Sequence, residues 1–204
     1  MKIYGISNSR WVRPVWTARE LDLPFEPVVV SISKGQTRTP EYRAIHPFAK
    51  VPALEDGDVT LFESMAICNY LAAKRPEVGL IPADGTAERR TYDQWVSFVI
   101  SDLDQPLGRI LRHLWVYPEA RRSAAEIDLA REDFRRLATA LEPILPDTLV
   151  GDRFTVADIF LTYTLKWASD VQLLQEDLLV GYPRLQAYVA RHEARPAFPR
   201  ELYP

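Results

Sequence analysis

The stretch Lys50-Val51-Pro52-Ala53-Leu54-Glu55-Asp56-Gly57-Asp58-Val59-Thr60-Leu61-Phe62-Glu63-Ser64 holds two extended runs, a tight turn and a helix start. Asp56-Gly57 separates the run Val51 to Glu55 from the run Asp58 to Phe62. It predicts a hairpin closed by those two residues, because a two-residue turn needs positive φ and Asp-Gly supplies it at low cost. Pro52 removes a ladder donor, which a strand tolerates at its start, at an edge or beside a cis bond. A cis Val51-Pro52 bond would turn the Val51 N–H and C=O outward, leaving an edge that an extended peptide could pair with. Ser64 stands at a helix start, ahead of Met65, Cys68, Leu71 and Ala72 at helical spacing. Free amides at such a start attract a carboxylate, and the Glu63 side chain accepts from an ammonium. Together these groups suit an α-amino acid zwitterion, whereas Ser64 alone reads as a plain helix cap.

Upstream, Lys2-Ile3-Tyr4 and Pro27-Val28-Val29-Val30 read as short buried strands that bracket Val12, Val15 and Trp16 at helical spacing. A β-α-β unit of this kind has parallel strands. Downstream, residues 75–85 combine two prolines with two glycines and read as a linker. Beyond it, helical patterns run through 88–115, 123–143, 155–175 and 183–193. The expected organisation is an α/β domain over residues 1–76, a linker over 77–85 and an all-α domain over 86–204. One helix start is sharply specified: Thr155 and Asp158 form a capping box, with Phe154 placed to staple onto Ile159. That motif reads as a folding device.

Composition removes several function classes. The 204 residues carry a net charge of −3, with 47% apolar and 26% charged side chains, so the chain offers no basic field for a nucleic acid. No run approaches the roughly 18 apolar residues of a membrane span, and Met1-Lys2-Ile3-Tyr4-Gly5 begins a strand without a signal-peptide core. A cytoplasmic location is the expectation. The single Cys68 excludes an internal disulfide, and it reads as a buried structural thiol rather than a nucleophile. Scattered His46, His113 and His192 predict no metal centre.

The residues then fall into a recognisable series. Tyr4-Gly5, Leu23-Pro24-Phe25-Glu26, Thr39-Pro40-Glu41-Tyr42, His46-Pro47-Phe48-Ala49-Lys50-Val51-Pro52-Ala53-Leu54 and Leu61-Phe62-Glu63-Ser64 with Ala66-Ile67 resemble the thioredoxin-like domain of cytosolic glutathione transferases. Gly151-Asp152-Arg153-Phe154-Thr155-Val156-Ala157-Asp158 and Arg195-Pro196-Ala197-Phe198 are similar to the helical domain and ending of bacterial, serine-type or theta-like members. The resemblance implies that glutathione is the co-substrate, with Val51, beside Pro52, pairing with the cysteinyl backbone. It implies that Glu63 and Ser64 hold the γ-glutamyl end and that Arg38 or Lys50 neutralises the glycyl carboxylate. A small electrophile would lie in a cleft between the domains, against Leu111, Arg112, Trp115 and Tyr117, and the molecule would be a homodimer. Other readings on the same scaffold are a glutathione-dependent isomerase of the maleylacetoacetate type, a dehalogenase, a reductase, or a non-catalytic binding or regulatory protein.

The resemblance also implies a thiolate-stabilising donor near the end of the first strand. A free thiol has a pKa of roughly 8.5, and lowering it by about two units takes nearly 3 kcal/mol. A hydrogen bond to the anion plus the positive end of a helix is of that size. Ile6 stands where many members have their catalytic serine, and Ile6 cannot donate. The neighbouring donors are Ser7, Asn8 and Ser9. Pro14 fits only the first turn of a helix, so the helix should begin near Arg10 and leave residues 7–9 in the loop.

Overall fold

The computed structural model describes residues 1–203. They divide into two units, one of Met1–Ile81 with the segment from Arg195 onward and one of Pro82–Ala194.

In the first unit, β1 (Lys2–Gly5), α1 (Val12–Glu20), β2 (Glu26–Val29), α2 (Pro40–Ile45), β3 (Ala53–Asp56), β4 (Val59–Phe62) and α3 (Ser64–Ala73) follow one another. The sheet order is β2-β1-β3-β4. β1 and β2 run parallel, as the β-α-β pattern requires, and β3 is antiparallel to both β1 and β4. This is the thioredoxin-like arrangement the sequence predicts. Alternation sorts the side chains between the two faces. Ile3 and Leu54 oppose each other in register and are fully buried, on the face where α1 and α3 pack together and bury Val12, Val15, Trp16, Ile67 and Leu71. Tyr4 and Ala53, also opposed, face α2 and cluster with Val30, Tyr42, Ile45 and Val51.

Three local expectations change. The strand expected to be buried at Pro27 to Val30 is an edge strand over Glu26–Val29 with Val29 68% exposed, and at an edge a proline costs no ladder bond. The hairpin closes one residue later than Asp56-Gly57: Asp56 pairs with Val59, so Gly57 and Asp58 make the turn. Only Gly57 there has positive φ, at 60°, which is the II′ arrangement with glycine first. The segment from Arg195, expected in the helical domain, packs with the first unit. Arg195 makes a bidentate pair with Glu20 at 2.7 Å on both arms, the Phe198 ring meets Trp16 edge-on at 4.9 Å, and the Asn8 N–H donates to the Leu202 carbonyl at 2.8 Å.

The second unit is helical throughout: α4 (Ala87–Phe98), α5 (Asp104–Leu111), α6 (Ala124–Leu141), α7 (Val156–Ala168), α8 (Val171–Leu174) and α9 (Pro183–Glu193). A π-helical segment at Val99–Leu103 joins α4 to α5, and another at Arg112–Val116 follows α5. Pro106 accounts for the first, since it lacks an N–H and its ring crowds the Asp102 carbonyl, which a wider turn relieves. The helix expected over 155–175 stops at Ala168 and restarts as α8, capped by Asp170 accepting the Leu173 N–H at 3.0 Å.

The capping box at Thr155 forms and extends beyond its own helix. The fully buried Asp158 carboxylate accepts from the Thr155 N–H (2.7 Å) and hydroxyl (2.9 Å) with one oxygen, and from the Leu149 N–H (2.8 Å) and Tyr188 hydroxyl (2.6 Å) with the other. It thereby ties α7 to α9 and to the preceding loop. Phe154, expected to staple onto Ile159, sets its ring 5.2 Å from His192 of α9. Because Asp158→Ala strands several buried donors at once, it should lower stability by at least about 3 kcal/mol, a fall in Tm of about 6–12 °C. Thermal unfolding by circular dichroism checks this, and a change under about 2 °C would contradict it.

Candidate active site

The register of the sheet brings the chemistry together. Tyr4 opposes Ala53, Ala53 opposes Phe62, and Gly5 opposes Val29. The residues that leave those strands, Ile6 to Trp11, Lys50 to Pro52, Glu63 with Ser64, and Val30 onward, therefore emerge at one end of the sheet. The N-termini of α1 and α3 lie at that same end, joined by a hydrogen bond from Arg13 Nη1 to Ser64 Oγ at 3.4 Å.

Val51-Pro52 is cis, one of the placements that the sequence leaves open for this proline. The Val51 side chain packs into the cluster of Tyr42, Val30 and Ala53, and its N–H and C=O take no partner among the described residues. The segment before it is anchored by the Tyr42 hydroxyl, which donates to the Lys50 carbonyl at 2.7 Å. Burial pushes the Tyr42 phenol up to about 12, so it stays a donor at any physiological pH. Tyr42 itself is placed by α2, whose start is capped by Thr39 accepting the Tyr42 N–H at 3.3 Å. Arg38 ends the short 3₁₀ turn just before that cap. The Arg38 and Lys50 side chains are both exposed, and neither makes an ion pair among the described residues.

Glu63, rather than the expected Ser64, occupies the N-cap position of α3, with φ 70° and an exposed side chain. This left-handed backbone is costly for a residue with a Cβ. Ser64, the first residue of α3, is 7% exposed. His46 lies under the same corner, 2% exposed, with its ring 5.1 Å from Phe62 and 6.5 Å from Tyr42. Desolvation holds His46 below the usual histidine range, against the pull of Glu63.

The loop after β1 is shaped by a close approach: a Cβ on Gly5 would lie 2.0 Å from the Trp11 ring. Trp11 is buried, and α1 begins at Val12, so Pro14 falls in the first turn and residues 7–9 stay in the loop. The Ser9 hydroxyl is spent locally, donating to the Ile6 carbonyl at 2.6 Å and accepting from the Trp11 N–H at 3.3 Å. Asn8 has φ 53°, the left-handed region that asparagine tolerates. Ser7 is exposed, and its hydroxyl makes no hydrogen bond among the described residues. Tyr4, packed against the Tyr42 cluster, is half-buried and donates its hydroxyl to Glu55.

In the second unit, Leu111 ends α5 half-buried, while Arg112 and Trp115 are exposed on the π-helical segment. Trp115 Nε1 donates to the Leu173 carbonyl at 2.7 Å, and Tyr117 meets His113 edge-on at 5.0 Å. Among the described residues, no group of histidine, cysteine and carboxylate side chains could hold a metal ion, and no helix is long and apolar enough to cross a membrane. Arg13, Tyr42 and His46 are the site residues that sequence reasoning missed. Each looks like ordinary surface or core in the sequence, and only the register brings them to this corner.

Comparison with known proteins agrees with this geometry. The family described as glutathione S-transferase, N-terminal domain, matches residues 1–73, and glutathione S-transferase, C-terminal domain, matches residues 124–191. A probable glutathione S-transferase GSTF2 from Oryza sativa is 30% identical over 97% of this chain and 93% of its own length. A probable maleylacetoacetate isomerase 2 from Drosophila melanogaster is 31% identical over 78% of this chain and 69% of its own. The crystal structure of a glutathione transferase from Methylococcus capsulatus superposes with a TM-score of 0.85 at 30% identity, covering 98% of this chain and 96% of that one.

Cys68 stands apart from this chemistry. It is wholly buried in α3, and desolvation drives its thiol up to about 12 although the Thr17 hydroxyl lies 3.3 Å away and Arg13 is near. At pH 8 its thiolate fraction is about one part in ten thousand. The folded protein should therefore leave Ellman's reagent unreacted over an hour and release one equivalent in guanidinium chloride; fast release from the native state would contradict this.

Proposed function

The chain belongs to the cytosolic glutathione transferase family, and on that premise we propose how its own residues carry the reaction. The enzyme takes glutathione as co-substrate and transfers it to a small electrophile: the thiol gives up its proton to water, the thiolate forms a carbon–sulfur bond, and either a leaving group departs with its bonding electron pair or an attacked π bond breaks and its far atom takes up the pair and a proton. The observation that carries the reading is the shared end of the sheet, where an unpartnered stretch of main chain, two helix N-termini and a loop of small polar residues meet.

In this reading the cysteinyl residue of the tripeptide adds as an extended strand to Val51, beside Pro52, exchanging N–H···O=C bonds with main-chain groups that have no other partner. The γ-glutamyl ammonium goes to Glu63, and its α-carboxylate to Ser64 and the amides opening α3. Lys50 and Arg38, both exposed and free of ion pairs among the described residues, supply the cation for the glycyl carboxylate. Of the three expected donors, Ser7 is the one with an uncommitted hydroxyl. Ser9 already donates to Ile6. Holding the thiolate beside the start of α1 lowers its pKa, and positioning the two reactants contributes the rest of the rate.

Arg112 and Trp115, the exposed members of the expected electrophile wall, are the side chains through which the second unit would select the acceptor. A homodimer is supported by an apolar groove of about 340 Å³ between α4 and α6, lined by Trp95, Phe98, Leu137 and Leu141 with Ile144 at 65% exposure, a face that a second copy of the chain would cover. Absence of a membrane-length apolar helix among the described residues is compatible with a cytoplasmic enzyme.

Two substitutions test the assignment. Ser7→Ala should raise the pKa of bound glutathione by at least about one unit while leaving its affinity near the starting value, as read by the ultraviolet absorbance of the bound thiolate against pH. An unchanged titration would reject Ser7 as the donor. Glu63→Ala should weaken glutathione binding at least about tenfold in calorimetry without lowering Tm, and normal binding would mean that the γ-glutamyl pocket lies elsewhere.

A further inference from the structure

Arg13 is an arginine that the surface does not see. It lies on α1, 1% exposed, with Nη1 3.4 Å from Ser64 Oγ on α3. It is also close enough to the buried Cys68 to favour that thiol's anion. A guanidinium has five donors and no acceptor, whereas a serine hydroxyl has one proton and two lone pairs. The contact therefore runs one way: Arg13 donates, and a lone pair of Ser64 accepts. The Ser64 proton cannot return to Arg13, so it must point elsewhere, and the guanidinium charge polarises the O–H that carries it. Ser64 opens α3, where the first backbone N–H groups also point outward.

We infer that Arg13 is a positioning residue which fixes Ser64 as a hydrogen-bond donor and so makes the pocket select a carboxylate over an amide at the α-position of the γ-glutamyl residue. The inference rests on the reading of Ser64 as part of the γ-glutamyl pocket. An arginine that merely filled space behind the pocket would weaken every ligand alike. One that sets the direction of a single proton changes the ratio between two ligands that differ in one oxygen.

The experiment is a double-mutant cycle on the full chain, Arg13→Met with Ser64→Ala, using calorimetry on two probes: glutathione, and its analogue carrying an amide in place of the γ-glutamyl α-carboxylate. The wild type should prefer glutathione by about tenfold or more. Arg13→Met and Ser64→Ala should each reduce that preference severalfold. In the Ser64→Ala background, Arg13→Met should change it no further. If Ser64→Ala leaves both ligands unaffected, the pocket reading fails and the inference fails with it. If Ser64→Ala reduces the preference but Arg13→Met weakens both probes equally, or acts undiminished without Ser64, the pocket stands and the role of Arg13 is overturned. Should Arg13→Met fail to fold by circular dichroism, Arg13→Lys goes through the same cycle, with a smaller loss of preference that must again vanish without Ser64.

Discussion

The working end of this molecule depends on where one strand stops pairing. β3 is paired on both sides from Ala53 to Glu55, but one step earlier the ladder is interrupted at Pro52, which has no N–H to give. Val51 is consequently tied down by its side chain, in the cluster with Tyr42 and Val30, while its main chain remains available. Free backbone groups at a sheet margin invite pairing with another extended chain. Here the invitation is short, since the Lys50 carbonyl is already taken by the Tyr42 hydroxyl and β3 is paired from Ala53 onward, so a tripeptide is a better match than a long strand.

Charge is arranged locally rather than globally. The chain is acidic overall, at −3, yet the end of the sheet gathers the positive ends of α1 and α3, the buried Arg13 and the exposed Lys50. Glu63 is the acidic side chain at this corner that faces solvent, set there by a left-handed backbone. An anion with one ammonium group, which is what glutathione presents, fits this distribution. A polyanion would find too few cations and a repelling carboxylate, in keeping with the composition.

Much of this was legible in the sequence because certain residues act through the backbone. Pro52, Gly57, Pro14 and the Thr155–Asp158 box each restrict φ or commit a backbone donor, so their structural consequence can be worked out before any fold is known. Residues that act through distant partners were not legible. Arg13 reads as a surface charge until α3 is laid beside α1. Arg195 and Phe198 give no sign that they will meet Glu20 and Trp16, because a salt bridge and an edge-on ring contact leave no periodicity. Ser9 reads as a candidate donor beside Ser7 and Asn8, and nothing in the sequence shows that its hydroxyl donates to the Ile6 carbonyl. Even the hairpin, whose existence was plain, closed one residue away from the expected dipeptide, since glycine serves either central position of a primed turn.

The most direct trial of this account is a crystal structure of the protein with glutathione bound. The account predicts that the cysteinyl N–H and C=O of the tripeptide lie at hydrogen-bonding distance, about 2.7–3.2 Å, from the C=O and N–H of Val51. A tripeptide bound with its cysteinyl main chain paired to any other segment, or with Val51 left facing water, would contradict it.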